Sequence, residues 1–439
     1  MESYIIYALT TALALAIFVP YFLKHRREQR QNYQRFKEAE SLDILRPRSQ
    51  YPMINQAFCI GCGSCVKACP EGDVLGVVFG KAQIINGLRC VGHGHCEAAC
   101  PVSAIKVGLG DITTRDDIPV LDEHYQSNIP GLYIVGELGG IALIRNAIGQ
   151  ARTAMTHLGE QAQKSSNGVP DVAIVGAGPA GMTAALAAIQ NNLSYVLIDQ
   201  QQPGGTILQY PRRKLVMNKP VEIPLYGWLK HSEYSKENLL EIWDDIIQKF
   251  KIESHTNHRV EAVKKADDIF QIKSQNGVFA ARHVVLAMGR RGTPRKLNVP
   301  GEDKKKVAYQ LIDAQSYQNR RILVVGGGDS AVEAAIGLAR QKGNTVTISY
   351  RKNQFFRIKK KNEDRISRMI KTNKIRPIFN SNVTEIHDDS VKLQVENEIV
   401  EIPNDFVFIF AGGIPPFKML KDMGIQFGGE RKPLFEKTF

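Results

Sequence analysis

Asp171-Val172-Ala173-Ile174-Val175-Gly176-Ala177-Gly178-Pro179-Ala180-Gly181 is the stretch whose reading decides the fold. Five strand-forming residues run straight into a glycine-rich turn, and an alanine-rich helix follows. That strand–turn–helix context makes the glycine spacing specific. Gly176 makes the tight turn, Gly178 lets backbone approach a pyrophosphate, and Gly181 permits close helix packing. Pro179 and Ala180 open the helix, whose N-terminal amides face the phosphates. The next strand, Tyr195 to Ile198, ends in Asp199, where an acidic residue binds ribose hydroxyls.

A second copy starts at Arg321-Ile322-Leu323-Val324-Val325 and continues as Gly326-Gly327-Gly328-Asp329-Ser330-Ala331. Gly326, Gly328, Asp329, Ser330 and Ala331 are the candidate contacts to a second dinucleotide. Its following strand, Thr345 to Ser349, ends in Tyr350-Arg351-Lys352 in place of an acid. A carboxylate there binds a free 2′-hydroxyl, whereas cations suit a 2′-phosphate. Arg351, Lys352 and Arg357 therefore point to NADPH over NADH. Two such units predict an α/β chain with two Rossmann-like domains, one for FAD and one for NADPH.

The seven cysteines all lie between Cys59 and Cys100 in a chain of 439 residues. A disulfide scaffold would spread them; tight clustering in a large chain indicates metal. Cys59-x-x-Cys62-x-x-Cys65-x-x-x-Cys69-Pro70 carries the spacing that wraps an iron–sulfur cubane. Residues 90–101, CVGHGHCEAACP, repeat the frame with His93 where the second cysteine would stand. The region resembles the two-cluster bacterial ferredoxins, a small α+β fold. That resemblance implies one 4Fe–4S cluster on Cys59, Cys62, Cys65 and Cys100, and a second on Cys69, Cys90 and Cys96. The fourth position of the second site is open: a His93-ligated 4Fe–4S cluster, a 3Fe–4S cluster, or no cluster. His95 reads as a surface histidine.

Tyr4 to Leu23, YIIYALTTALALAIFVPYFL, carries no charge. At 1.5 Å per residue it spans about 30 Å, the thickness of a bilayer's hydrocarbon. Lys24, Arg26, Arg27 and Arg30 follow it, which predicts a single transmembrane helix with the soluble domains facing the cytoplasm. A signal peptide would carry its positive charge ahead of the apolar run. The formal charge of +13 fits anionic lipid, phosphorylated cofactors or an acidic redox partner. No nucleic-acid module accompanies the charge, so nucleic acid is not an expected partner.

From residue 170 on, GAGPAG, the VVLAMG strand before Arg290, GGGDSAVEAA with its YRK, and FIFAGGIPP at 408–416 resemble the thioredoxin reductase branch of the two-dinucleotide flavoproteins. In that family the chain ends by returning to the FAD domain with an IPGLYAAGD-like segment and a helix. Only a short stretch follows Pro416 here. The matching segment lies upstream, at 118–138, IPVLDEHYQSNIPGLYIVGEL, followed by GGIALIRNAIGQARTAM, read as a helix from near Gly139. The resemblance implies that Gly136 and Glu137 stand at the flavin's ribityl chain, and that Gly205 and Thr206 of the PGGT loop lie near its ring. It further implies a circularly permuted flavoprotein, with the FAD segment used within one chain or swapped in a homodimer.

The expected divisions are an anchor at 1–23, a juxtamembrane helix and linker at 24–50, and a ferredoxin domain at 51–110. A permuted FAD segment follows at 111–160, with a linker at 161–169. The FAD domain is expected at 170–296, the NADPH domain at 297–412, and a return segment at 413–439. Thioredoxin reductases carry a redox-active Cys-x-x-Cys in the NADPH domain. This chain has none, and Ala180 stands where relatives acting on small disulfides can place a cysteine. The expectation is therefore an NADPH-dependent oxidoreductase passing electrons through FAD and iron–sulfur clusters to a redox protein or a quinone-linked acceptor. The alternatives are an electron-input subunit of the glutamate synthase small-subunit type and a membrane-tethered redox sensor.

Overall fold

The computed structural model describes residues 2–41, 45, 50–110, 115–161, 168–210, 212, 215–217, 220–231, 233–356 and 358–428. Arg357, the 162–167 stretch of the expected linker and the end of the expected return segment, from residue 429, lie outside the described residues. The chain divides into two compact units, Met1–Gly110 and Asp111–Phe439.

In the first unit, one helix, α1 (Glu2–Ser41), runs without a break through the expected anchor and on into the expected juxtamembrane segment. An 18-residue window near its start has mean hydropathy 2.0 and is unburied, so by length and composition it is able to cross a membrane. Beyond Leu23 the helix becomes charged, and its last turns pack on the small domain that follows. Asn32 Nδ2 donates to the Val77 carbonyl at 3.3 Å, Arg35 pairs with Asp73 at 2.8 Å, and Tyr33 meets Phe79 edge-on. That domain has two antiparallel pairs: β1 (Tyr51–Ile54) with β4 (Ile105–Gly108), and β2 (Leu75–Val78) with β3 (Lys81–Ile84). The second pair turns through Phe79 and Gly80, both at positive φ, as a tight hairpin requires. Two short helices, α2 (Ser64–Ala68) and α3 (His95–Ala98), complete it. Val74, Leu75, Ala82, Ala104 and Ile105 form a small core shared with the cysteines.

The second unit holds two parallel sheets. The first has the order β5 (Leu132–Ile134), His283–Leu286, β6 (Val172–Val175), β7 (Tyr195–Ile198). These strands are apolar runs buried on both faces, as parallel sheets demand. Helices α4 (Ile144–Gln161) and α5 (Pro179–Gln190) cover one face, with Ile148, Ala151, Met155 and Leu158 meeting Met182, Ala185 and Leu186 in one core. The other face is covered by the Val260–Ala281 meander together with Leu420, Ile425 and Phe427. The second sheet has the order Val307–Ala308, Phe406–Ile409, Arg321–Val325, Thr345–Ser349, Ile375–Ile378. Helices Asp329–Ala339 and Lys360–Lys371 lie on one side of it and the Ser381–Pro403 meander on the other.

Two strands link the sheets, Thr293–Pro294 and Gly413–Ile414, paired antiparallel. Gly292 and Gly413 are required there, because a Cβ on either would overlap a backbone carbonyl of the other strand. One sequence reading is corrected. The α-helix after Gly136 begins at Ile144, not near Gly139, because Gly140 and Leu143 both take left-handed φ; only a single 3₁₀ turn covers Gly136–Gly139.

Candidate cofactor sites

The first dinucleotide loop is built by contacts that only glycine allows. Gly176 has φ +107, and a Cβ on it would lie 2.6 Å from the Ala287 carbonyl oxygen; a Cβ on Gly181 would overlap the Gly176 carbonyl. Pro179 sits in the first turn of α5, where its missing N–H costs nothing. A Cβ on Gly205 would sit 2.8 Å from Gly178 Cα, so the GAGPAG and PGGT loops press backbone to backbone. Thr206 follows within a short 3₁₀ turn. Asp199 closes the cradle: its carboxylate accepts from the Ala177 and Gln201 amides, and burial raises its pKa. These features fit an FAD pyrophosphate on the helix N-terminus.

Gly136 and Glu137 stand beside this cradle although they precede it by some forty residues. A Cβ on Gly136 would meet the Ala180 Cβ at 3.4 Å, and the Gly136 amide donates to Gln150 Oε1 at 2.7 Å. Glu137 is exposed, and desolvation raises its pKa, partly opposed by Arg290. Tyr210 shares this neighbourhood, its pKa raised by burial and then by Glu137, with Arg291 and Glu333 acting on it as well. No motif flagged Tyr210 or Arg291, and Glu333, though inside GGGDSAVEAA, was given no role, because the three come from separate stretches of chain. Asp117, also unflagged, receives Arg290 at 2.7 Å on its carboxylate and its carbonyl, while Arg115 occupies its other oxygen at 2.9 Å.

The second dinucleotide loop has the same form. Gly326 has φ +141, and a Cβ on it would press on the Phe410 carbonyl; Gly327 has no room beside the Tyr350 ring, while Gly328 faces open space. Asp329 and Ser330 begin the helix and Ala331 is buried beneath it. Asp329 is turned toward the protein, its Oδ1 accepting from the Lys359 amide at 2.9 Å and from Asn362 at 2.7 Å. Arg351 and Lys352 are exposed just past the strand end, Lys352 lying over the Phe356 ring. The pieces fit a dinucleotide phosphate.

The cysteine frame folds as an internal repeat. Gly61 and Gly63 (φ +70 and +73) flank Cys62, as Gly92 and Gly94 (φ +74 and +77) flank His93, and each pair leads into a short helix carrying Cys65 or Cys96. His93 thus occupies the place in the second half that Cys62 occupies in the first. Backbone amides reach two sulfurs, Ala82 N to Cys59 Sγ at 3.3 Å and Ala104 N to Cys100 Sγ at 3.2 Å. Burial pushes the Cys65 and Cys90 thiols up to about 11, and a bound metal would favour their thiolate forms. Among the described residues, no three His, Cys, Asp or Glu side chains converge as single-ion ligands. Separated thiols suit a polynuclear cluster. One cavity is lined by Cys69, Cys90, Cys96 and His93 together with Glu71 and His95. His95, read from the sequence as a surface residue, is only half-exposed.

Comparison with known proteins agrees with this geometry. Residues 51–101 match the family described as the 4Fe-4S dicluster domain. Over 60% of this chain and 80% of its own length, the thioredoxin reductase of Bacillus subtilis is 28% identical. The ferredoxin–NADP reductase of Ignicoccus hospitalis is 29% identical over 59% of this chain and 83% of its own. The bacillithiol disulfide reductase of Staphylococcus aureus superposes with TM-score 0.52 at 27% identity, covering 58% of this chain and 80% of that one. The fold is thus the mixed α/β, thioredoxin-reductase-like arrangement, with a ferredoxin domain ahead of it. The chain is an enzyme, an FAD-dependent NAD(P)H oxidoreductase with an iron–sulfur domain. Residues 173–438, more than half of its length, match the family described as pyridine nucleotide-disulphide oxidoreductase, and to that family the chain belongs.

Proposed function

We propose that the chain is a membrane-anchored, NADPH-dependent reductase that passes electrons through FAD and two iron–sulfur clusters to a one-electron acceptor, a redox protein or a quinone-linked pathway. The observation that carries this reading is the combination, in one chain, of two glycine cradles with a cysteine frame that supplies every cysteine present. FAD supplies the exchange between a hydride donor and one-electron carriers, and the clusters supply the one-electron steps. The protein's part is to hold and tune them. Gly176, Gly178 and Gly181 seat one pyrophosphate, Gly326 and Gly328 the other, and Arg351 and Lys352 meet the 2′-phosphate. Glu137 faces the ribityl chain from a permuted segment, 111–160, which belongs to the FAD domain; the placing of β5 beside His283–Leu286 supports this. With no cysteine beyond Cys100, the reductase half has no thiol for disulfide exchange, which favours exit through iron–sulfur. His93 completes the second cluster as its fourth ligand, a reading supported by its equivalence to Cys62.

Anaerobic mixing tests the nucleotide and the direction of flow together. NADPH is expected to bleach the flavin absorbance and to sustain reduction of an artificial one-electron acceptor, with NADH much slower. Arg351→Ala is expected to cost about tenfold in NADPH affinity, the worth of one charge-assisted hydrogen bond at roughly 1.5 kcal/mol. Equal use of both nucleotides, unaffected by that substitution, would sink the assignment.

A further inference from the structure

We propose that Glu71 is a positioning residue for the second cluster: its carboxylate holds the His93 ring by Nδ1 and leaves Nε2 as the nitrogen offered to iron. This rests on the reading of His93 as a cluster ligand. Glu71 Oε1 lies 3.8 Å from His93 Nδ1, just beyond hydrogen-bond length, and the two side chains are 8% and 15% exposed. Both line the cavity that also holds Cys69, Cys90 and Cys96.

An acidic side chain so deeply placed beside three thiol ligands is costly unless it has a partner there. An imidazole N–H is such a partner. Metal-bound histidines ordinarily donate their second ring nitrogen to a carboxylate or carbonyl, which fixes the tautomer and makes the ring a better donor. Neither residue is free to drift. Glu71 lies in a turn closed by the Gly72 amide on the Cys69 carbonyl at 3.4 Å. His93 lies between two left-handed glycines, and the Gly92 carbonyl accepts from the buried Gln50 amide at 2.9 Å. Cys69 and Glu71 share that turn, so one short segment supplies both a thiolate and the carboxylate that aims the imidazole. The equivalent turn after Cys100 carries Val102 in Glu71's place, as fits a first cluster whose Cys62 thiolate has no second nitrogen to orient.

The test uses the full-length chain, purified in detergent and loaded anaerobically with iron and sulfide. Pulsed electron paramagnetic resonance of the reduced second cluster is expected to show ¹⁴N coupling from an imidazole, lost in His93→Ala and kept in His95→Ala. Absence of coupling in the unmodified chain, or its loss in His95→Ala alone, overturns the ligand reading on which the proposal rests. Given coupling from His93, Glu71→Ala is expected to release one iron about 10–100-fold more readily to a chelator, leaving the isotropic signal of an oxidised three-iron cluster. Glu71→Gln keeps an acceptor oxygen and is expected to retain the coupling while the reduction potential rises, because a negative charge beside the cluster has gone. Coupling and potential both unchanged in Glu71→Gln would overturn the positioning role, even where Glu71→Ala fails to assemble.

Discussion

Asp117 shows how much of the reductase depends on single side chains outside any motif. Burial alone would raise its carboxyl pKa, but hydrogen bonds from Arg115 and Arg290 hold it below the ordinary value. Its stabilising effect is therefore fully present above the unfolded aspartate range near pH 4, and is lost as pH falls through the lower folded value. Asp117→Asn is expected to cost roughly 1.5–3 kcal/mol at neutral pH, with the difference from the unmodified protein shrinking in acid. Urea titrations of the FAD-loaded protein at pH 7 and pH 3, followed by flavin fluorescence, check this; an equal deficit at both pH values would contradict it. Such a residue was not legible in the sequence. Arg115 of RDDIP is local to it, but Arg290 is separated from it by more than a hundred residues, and nothing in RDDIP announces that second partner. The glycines of the two cradles were legible for the opposite reason: their spacing within six residues is itself the signal, although the carbonyls they make room for, on Ala287 and Phe410, lie far along the chain.

Among the elements, β5 and α4 carry the least ordinary relationship. They precede the glycine cradle in sequence, yet β5 pairs with His283–Leu286 and α4 packs along α5. Val120 and Gln426 exchange a backbone hydrogen bond at 2.8 Å, as do Gly428 and Ile118 at 3.0 Å, so the far end of the described chain returns to the same segment. A chain beginning at Gly168 would expose the edge of the His283–Leu286 strand and the apolar flank of α5, and is expected to aggregate or fail to hold FAD. Supplying residues 111–161 as a separate peptide is expected to restore soluble, yellow protein. Soluble FAD protein from the truncated chain alone would count against this. The IPGLYIVGE reading made the segment recognisable, but the start of α4 was misjudged, because Leu143 adopts a left-handed φ of 89° that aliphatic residues seldom take.

At the scale of the whole molecule, the first unit carries an apolar helix whose charged end packs on the iron–sulfur domain. α1 is continuous, and its charged end is clamped by Arg35–Asp73 and by the buried Ala39. If Tyr4–Leu23 spans a bilayer, the protein is expected to sediment with membranes and to resist high-salt washing, because hydrophobic transfer is indifferent to ionic strength. Deleting residues 1–23 is expected to give a soluble protein that still oxidises NADPH. Complete release of the intact chain by salt would show that the basic flank alone held it.

The pairing of β5 with a strand encoded some 150 residues later also sets a timetable for biosynthesis. At about 5–20 residues per second, a ribosome leaves Leu132–Ile134 without its neighbour for roughly 8–30 seconds. During that interval the cysteine-bearing domain, complete by Gly110, is already available for iron loading, while the flavin half still lacks a sheet to close. Metal insertion thus has a head start over flavin capture built into the gene order. A nascent chain halted before His283 would leave the apolar strand β5 without its neighbour, the kind of surface that chaperones hold.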